Sequence, residues 1–223
     1  MNDAVIALRG SLVASGRRLE TVASDLANST RTGHKATRTA FRLEGLEPKY
    51  ESRLDLGQGP THYTGQPLDL AIEGPGLIVI DTPGGQRAVR QGHLDVDIQG
   101  RLSLAGYPVR GEGGPILRGQ GKLEFGLDGT VTADGARLGR LRLVDLPHDT
   151  PRDLDGHFIV PPEPAPADGV VRQGFLENTN LPAEEAAIEL DWTQHHYRAA
   201  ARAFELVADD VLGQAIERLG RRS

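Results

Sequence analysis

The apolar residues Val5, Leu8, Leu12, Leu19, Val22 and Leu26 follow one another at steps of three and four, with Ser15 the one polar member of the seam. That period is helical and lines the side chains along one narrow stripe, so a helix is predicted from about residue 3 to 27. Asn2 or Asp3 can cap its start, and Asn28, Ser29, Thr30 and Gly33 supply stop signals. From Lys35 to Gln66 no period holds. The stretch mixes charge with Pro48, Pro60 and several glycines, which predicts an extended connector that joins two bodies.

From Pro67 the period changes to two. Leu68, Leu70 and Ile72 alternate with other residues, as do Leu94, Val96 and Ile98, then Leu102 and Leu104, then Leu123, Phe125 and Leu127, then Leu141 and Leu143. Alternation of this kind marks half-buried strands. Pro83-Gly84-Gly85, Gln99-Gly100, Asp128-Gly129 and Asp134-Gly135 separate the runs as turns, and Pro161 to Gly169 reads as a Pro-rich loop.

Helical spacing returns after Asn180. Leu190, Tyr197, Ala200, Phe204, Val207 and Val211 form a stripe, and Leu212, Ile216 and Leu219 continue it with a shift of one at Gly213. Pro182 is tolerated in the first turn, Glu184 and Glu185 suit the positive end of the dipole, and Arg218, Arg221 and Arg222 suit the negative end. A helix from 183 to 219 would run roughly 55 Å, more than the roughly 45 Å span of a compact body of this length, so it is expected to project. The N-terminal seam buries too little apolar surface to offset the entropy of ordering its own residues. The two ends are therefore expected to pair with each other and to complete their burial against neighbouring subunits.

Composition supports a turn-rich β region. The 223 residues include 28 glycines, nearly double the usual share of about 7%. The net charge of -6 argues against a nucleic-acid binder, which needs a concentrated basic face. The absence of cysteine excludes disulfides, thiolate catalysis and Cys-ligated metals. No apolar run reaches the length of a membrane helix, and Arg9, Arg17 and Arg18 interrupt any secretory h-region at the N-terminus.

The residue types that carry chemistry fall into no catalytic pattern. His195 and His196 are adjacent, so they point roughly 100° apart on a helix, and no ligand is expected at the i, i+4 spacing from either. Gly111-Glu112-Gly113-Gly114 and Gly119-Gln120-Gly121-Lys122 complete no phosphate-binding motif and read as turns. Asp95, Asp97 and Asp128 fall at turn or solvent positions rather than in the apolar setting that an acid-base carboxylate needs. No enzyme activity, cofactor or metal site is expected.

Several stretches resemble, in order along the chain, those of the flagellar rod and hook protein family. Asp25-Leu26-Ala27-Asn28-Ser29-Thr30-Arg31-Thr32-Gly33-His34-Lys35-Ala36 is similar to the family's N-terminal signature, with His34 in place of the usual aromatic. Gly65-Gln66-Pro67-Leu68-Asp69-Leu70-Ala71-Ile72-Glu73-Gly74-Pro75-Gly76-Leu77 resembles its entry into a β domain. Arg90-Gln91-Gly92-His93-Leu94 is a partial copy that lacks a preceding tyrosine, and Gln173-Gly174-Phe175-Leu176-Glu177-Asn178-Thr179-Asn180 resembles the approach to its C-terminal helix, with Thr179 replacing serine. Gly106-Tyr107-Pro108-Val109-Arg110-Gly111-Glu112-Gly113-Gly114-Pro115-Ile116 is nearer the F-type proximal rod than the G-type distal rod.

The resemblance implies a mixed α and β fold, in which a turn-rich antiparallel β domain (D1-like) is flanked by N- and C-terminal helices that pair into a discontinuous helical domain (D0-like). The expected division is 1-34 for the first helix, 35-66 for the connector, 67-177 for the β domain and 178-223 for the second helix. It also implies a structural subunit of the basal-body rod that polymerises with itself and other rod subunits. Export would run through the flagellar type III apparatus without a cleaved signal, and assembly would take place in the periplasm, with no nucleic acid and no membrane insertion. The assembly residues are expected to be Val5, Leu8, Leu12, Leu19, Val22, Leu26, Leu190, Tyr197, Phe204, Val207 and Val211, with Asn28, Gly33 and Asn180 shaping the joints. A secreted β binding module on a helical stalk is the competing reading, and its mark would be an exposed aromatic patch, for which the β region offers Tyr107, Phe125 and Phe158.

Overall fold

The computed structural model describes residues 2–44, 47–153 and 155–220. Arg221 and Arg222 lie outside the described residues, as do the side chains of Asn2, Asp3, Phe41, Pro48, Leu212, Ile216, Arg218 and Leu219. The fold is mixed α and β, with helix α1 (Asn2–Ala27) at the N-terminal end, helix α2 (Ala183–Gly220) at the C-terminal end and a β-rich region between them. The chain divides into two compact units. Unit 1 gathers residues 1–29, 37–53 and 182–223, and unit 2 gathers residues 30–36 and 54–181.

In unit 1 the helices pair antiparallel. Arg18 reaches Glu189 at 3.2 Å, and the Tyr197 ring stands 3.5 Å from where a Cβ on Gly16 would lie. Extrapolated along both axes, these two contacts bring the start of α1 level with about residues 205 to 211, so α2 runs on for roughly two and a half to four turns beyond it. The third component is a two-stranded sheet of Thr37–Glu44 and Glu47–Leu54. Much of the segment expected to be an extended connector therefore has a paired partner. The alternation Thr37, Thr39 inward and Arg38, Ala40 outward is what a strand against a helix requires, but a run this polar carries no hydrophobic period to announce it. Tyr50 is tied to α1 by a 2.8 Å hydroxyl–hydroxyl bond with Thr21.

Unit 2 is built on a five-stranded sheet in the order Phe158–Ile159, Gly85–Val89, Leu77–Thr82, Leu143–Asp145, Ala165–Pro166. Its central strand explains why Leu77-Ile78-Val79-Ile80 is apolar without alternation. Ile78 and Ile80 face one core with Leu70, Leu102, Leu104 and Val131, while Leu77 and Val79 face a second with Ala88, Val144 and Phe158. A strand covered on both faces cannot afford polar positions. Around it, Leu70–Glu73 pairs with Val170–Gln173, and Leu123–Phe125, Thr130–Ala133 and Ala136–Arg140 form a meander. The paired strands in unit 2 are antiparallel.

The turns sit where the glycines predict them. Asp134 and Gly135 both take positive φ, 46° and 81°, the conformation of a primed two-residue hairpin. Two alternating runs stop earlier than the pattern suggests. Ile98 is 97% exposed, because the Asp97 carboxylate accepts the backbone N–H groups of Gln99 and Arg101 and folds the chain into a turn there. Leu127, 62% exposed, precedes the Asp128-Gly129 turn in the same way. The Pro-rich loop contributes a short edge strand, since Ala165 and Pro166 pair with Asp145 and Val144, and an edge is where proline is tolerated in a sheet.

Because the central strand is shared by two cores, truncating Ile80 removes contacts that no relaxation on one side can restore. Ile80→Ala is expected to lower the unfolding free energy by about 2–5 kcal/mol, measured by denaturant unfolding followed by far-ultraviolet circular dichroism.

Candidate functional site

The predicted α1 seam is half-buried at Val5, Leu8, Leu12, Leu19 and Leu26 and buried at Val22. On α2, Leu190, Tyr197, Phe204, Val207 and Val211 are half-buried as well. Among the described residues, full burial along the pair is confined to Ala14, Val22, Asp25, Ala186 and Thr193. A notch of about 250 Å³, lined by Ser11, Ala14, Ser15, Arg18, Trp192, Thr193 and His196, opens beside them. The Thr193 hydroxyl is buried there without a hydrogen-bond partner.

The outward faces of both helices lie off the predicted stripes. Ile6 and Val13 stand exposed on α1, one heptad apart, and Ile188, Trp192 and Leu206 stand exposed on α2. Trp192 stacks on His196 at 3.8 Å and carries the Arg18 guanidinium over its ring. Asp191 lies one turn before His195 with its carboxylate 3.6 Å from the imidazole, a spacing that the sequence reading does not count. Both side chains of that pair are mostly exposed.

The helix exits are set by short polar contacts. Asn28 donates its side-chain amide to Ser24 O at 2.8 Å and its backbone N–H to the same carbonyl, closing the last turn of α1. Asp25, buried in that turn, accepts the backbone N–H of Thr37 at 2.8 Å and so anchors the first strand of unit 1. In unit 2, Gly33 takes φ 68°, and a Cβ there would stand 2.5 Å from the Arg90–Gln91 peptide. Only glycine fits that position.

Gly33 donates its N–H to the Glu177 carbonyl at 2.7 Å, and this leads to an ionic cluster at the heart of unit 2. The Glu177 carboxylate accepts from Lys35 Nζ at 2.6 Å, from Arg90 Nε at 2.6 Å and from the Gly59 N–H at 2.9 Å. Lys35 also donates to Gly57 O, and Arg90 donates to the carbonyls of Ile72 and Gly76. Side-chain exposure is 1% for Lys35 and Glu177 and 3% for Arg90, so this is a charged cluster held out of water. Asn180 completes it, accepting from the Ala36 N–H and donating to Asp55 O and Gly57 O. The sequence reading places Gly33 and Asn180 at joints but does not bring Lys35, Arg90 and Glu177 together. A signal was available, because each lies inside one of the stretches that carry the family resemblance.

Two cations share one carboxylate, so the arrangement is sensitive to loss of the anion. Glu177→Gln keeps the shape but leaves both cations uncompensated, and is expected to cost about 3–5 kcal/mol of unfolding free energy in denaturant titration. Burial holds the Lys35 ammonium below its ordinary value against the opposing pull of Glu177. The unfolded chain therefore binds this proton more tightly, and the Lys35 contribution to stability rises with pH as the group passes from its folded to its unfolded pKa. Lys35→Met should remove that alkaline rise from the difference between the two pH–stability curves.

No protein-family model matches the chain. The flagellar basal-body rod protein FlgF of Rhizobium meliloti (strain 1021) is 32% identical over 235 residues, which covers 94% of this chain and 95% of that protein. FlgF of Escherichia coli (strain K12) is 29% identical over 96% of this chain and 97% of that one. The flagellar basal-body rod protein FlgG of Buchnera aphidicola subsp. Schizaphis graminum is 24% identical, over 87% and 91%. The match to the Rhizobium meliloti protein leaves only about a twentieth of either chain uncovered, and on that evidence the chain belongs to the FlgF family of flagellar basal-body rod proteins.

Proposed function

We propose that this chain is a structural subunit of the flagellar basal-body rod, of its proximal part, and that it assembles through the helices of unit 1. The observation that carries the reading is the incomplete burial of that helix pair. Its inner seam is half-covered, and Ile6, Val13, Ile188, Trp192 and Leu206 face solvent. A pair of helices with apolar side chains on both faces is finished by packing against further helices. Neighbouring subunits supply those surfaces, and the mechanical task is to carry torque through many such contacts at once.

In this reading unit 1 corresponds to the helical D0-like domain of a rod protein and unit 2 to the D1-like β domain. The proximal position is favoured by the higher identity to FlgF than to FlgG proteins. Passage through the flagellar type III export apparatus and assembly in the periplasm follow from the same role. No helix among the described residues is long and apolar enough to cross a membrane.

Leu12→Asp and Phe204→Asp are expected to abolish swimming while leaving the β unit folded by circular dichroism and hydrogen exchange, and normal motility in both would refute the assembly role. Outward substitutions separate assembly from folding. Ile188→Asp and Leu206→Asp should change monomer stability by no more than about 0.5 kcal/mol, yet block incorporation into isolated basal bodies, scored by immunoblot.

A further inference from the structure

One cluster in unit 2 includes none of the residues assigned above to assembly. Asp153, Asp155 and His157, in the turn before the strand Phe158–Ile159, bring two carboxylate oxygens and an imidazole nitrogen within 4.8 Å of one another. Asp153 Oδ1 accepts the backbone N–H groups of Asp155 at 3.0 Å and His157 at 2.9 Å, which explains the turn by itself. It does not explain the histidine. His157 is only 8% exposed, and its Nδ1 is buried without a hydrogen-bond partner. That nitrogen faces Asp153 Oδ2 at 3.7 Å, too far for a hydrogen bond, while the Tyr107 ring packs edge-on against the imidazole.

A lone pair held out of water with nothing to accept from is costly unless an electrophile fills the gap. We propose that Asp153, Asp155 and His157 bind a first-row transition-metal dication, with zinc the best match. Two carboxylates, one of them already ion-paired with Arg87, offset part of the charge of a dication, and the imidazole favours a borderline metal over magnesium or calcium. Asp155 is exposed and leaves one side of the site open to water ligands. Arg87 Nε donates to Asp153 Oδ2 at 2.9 Å, an outer-shell bond of the kind that orients a ligating carboxylate. Arg87 belongs to the neighbouring strand, paired with Ile159, so a bound ion would tie the turn to the edge of the five-stranded sheet.

The test uses the full-length chain, freed of metal, titrated with Co²⁺ alone and read by its visible d–d absorbance, followed by displacement with Zn²⁺. One equivalent should bind, and Zn²⁺ should raise the melting temperature. Asp155→Asn changes an exposed residue and keeps the fold, so it carries the decision should His157→Ala unfold. Each is expected to weaken binding by at least about tenfold, whereas the double variant His195→Ala, His196→Ala should bind as the parent does. Absence of binding up to roughly 1 mM metal, binding undiminished in Asp155→Asn, or binding lost only in the His195, His196 variant would each overturn the assignment.

Discussion

The Glu177 carboxylate is the contact on which the arrangement of unit 2 depends. It is buried with two cations, and removing such groups from water is repaid only when every charge finds close partners. Those partners come from distant parts of the chain: Lys35 from the N-terminal signature, Gly59 from the segment that follows the first hairpin, and Arg90 from beyond the central strands. Closing the cluster therefore brings these segments together at once. The backbone reinforces it, through Gly33 N–H to Glu177 O and Ala36 N–H to the Asn180 side chain. As a result, the segments that continue into α1 and α2 leave unit 2 from neighbouring points, which lowers the entropy cost of pairing the two helices.

The close fit around this cluster also accounts for otherwise arbitrary residues. Arg90-Gln91-Gly92 places a guanidinium on two carbonyls and a carboxylate, and then passes so near Leu70 that a Cβ on Gly92 would lie 1.6 Å from its carbonyl oxygen. A glycine is required there because backbone approaches backbone. Rigidity of this kind suits a part that must pass load without yielding, since a close-packed interior has few low-energy alternatives to move into.

Unit 1 follows the opposite economy. Its helices have the apolar positions to form a seam but not the surroundings to cover it, and their outward faces carry isoleucine, valine, leucine and tryptophan in contact with water. In a monomer this is a cost, and in the proposed polymer it is the binding surface. Family membership and incomplete burial thus point to the same conclusion by independent routes.

The periodicity of the chain alone was enough to locate both helices, Asn2–Ala27 and Ala183–Gly220, and the strand segments near Leu70, Leu94, Leu102, Leu123 and Leu143, because period and turn chemistry are local properties. That Gly33 and Asn180 shape joints is an expectation of the family resemblance rather than of the period. Periodicity could not locate the Thr37–Glu44 and Glu47–Leu54 strands, whose polar composition carries no period and whose place is set by pairing with each other and by contacts to α1. Nor could it join Lys35, Arg90 and Glu177, separated by as many as 142 positions, or show that Ile98 and Leu127 turn outward while Leu77 through Ile80 divide between two cores. Those outcomes are long-range: which charge meets which, and which face of a strand is covered, is decided only when distant segments close on one another in three dimensions.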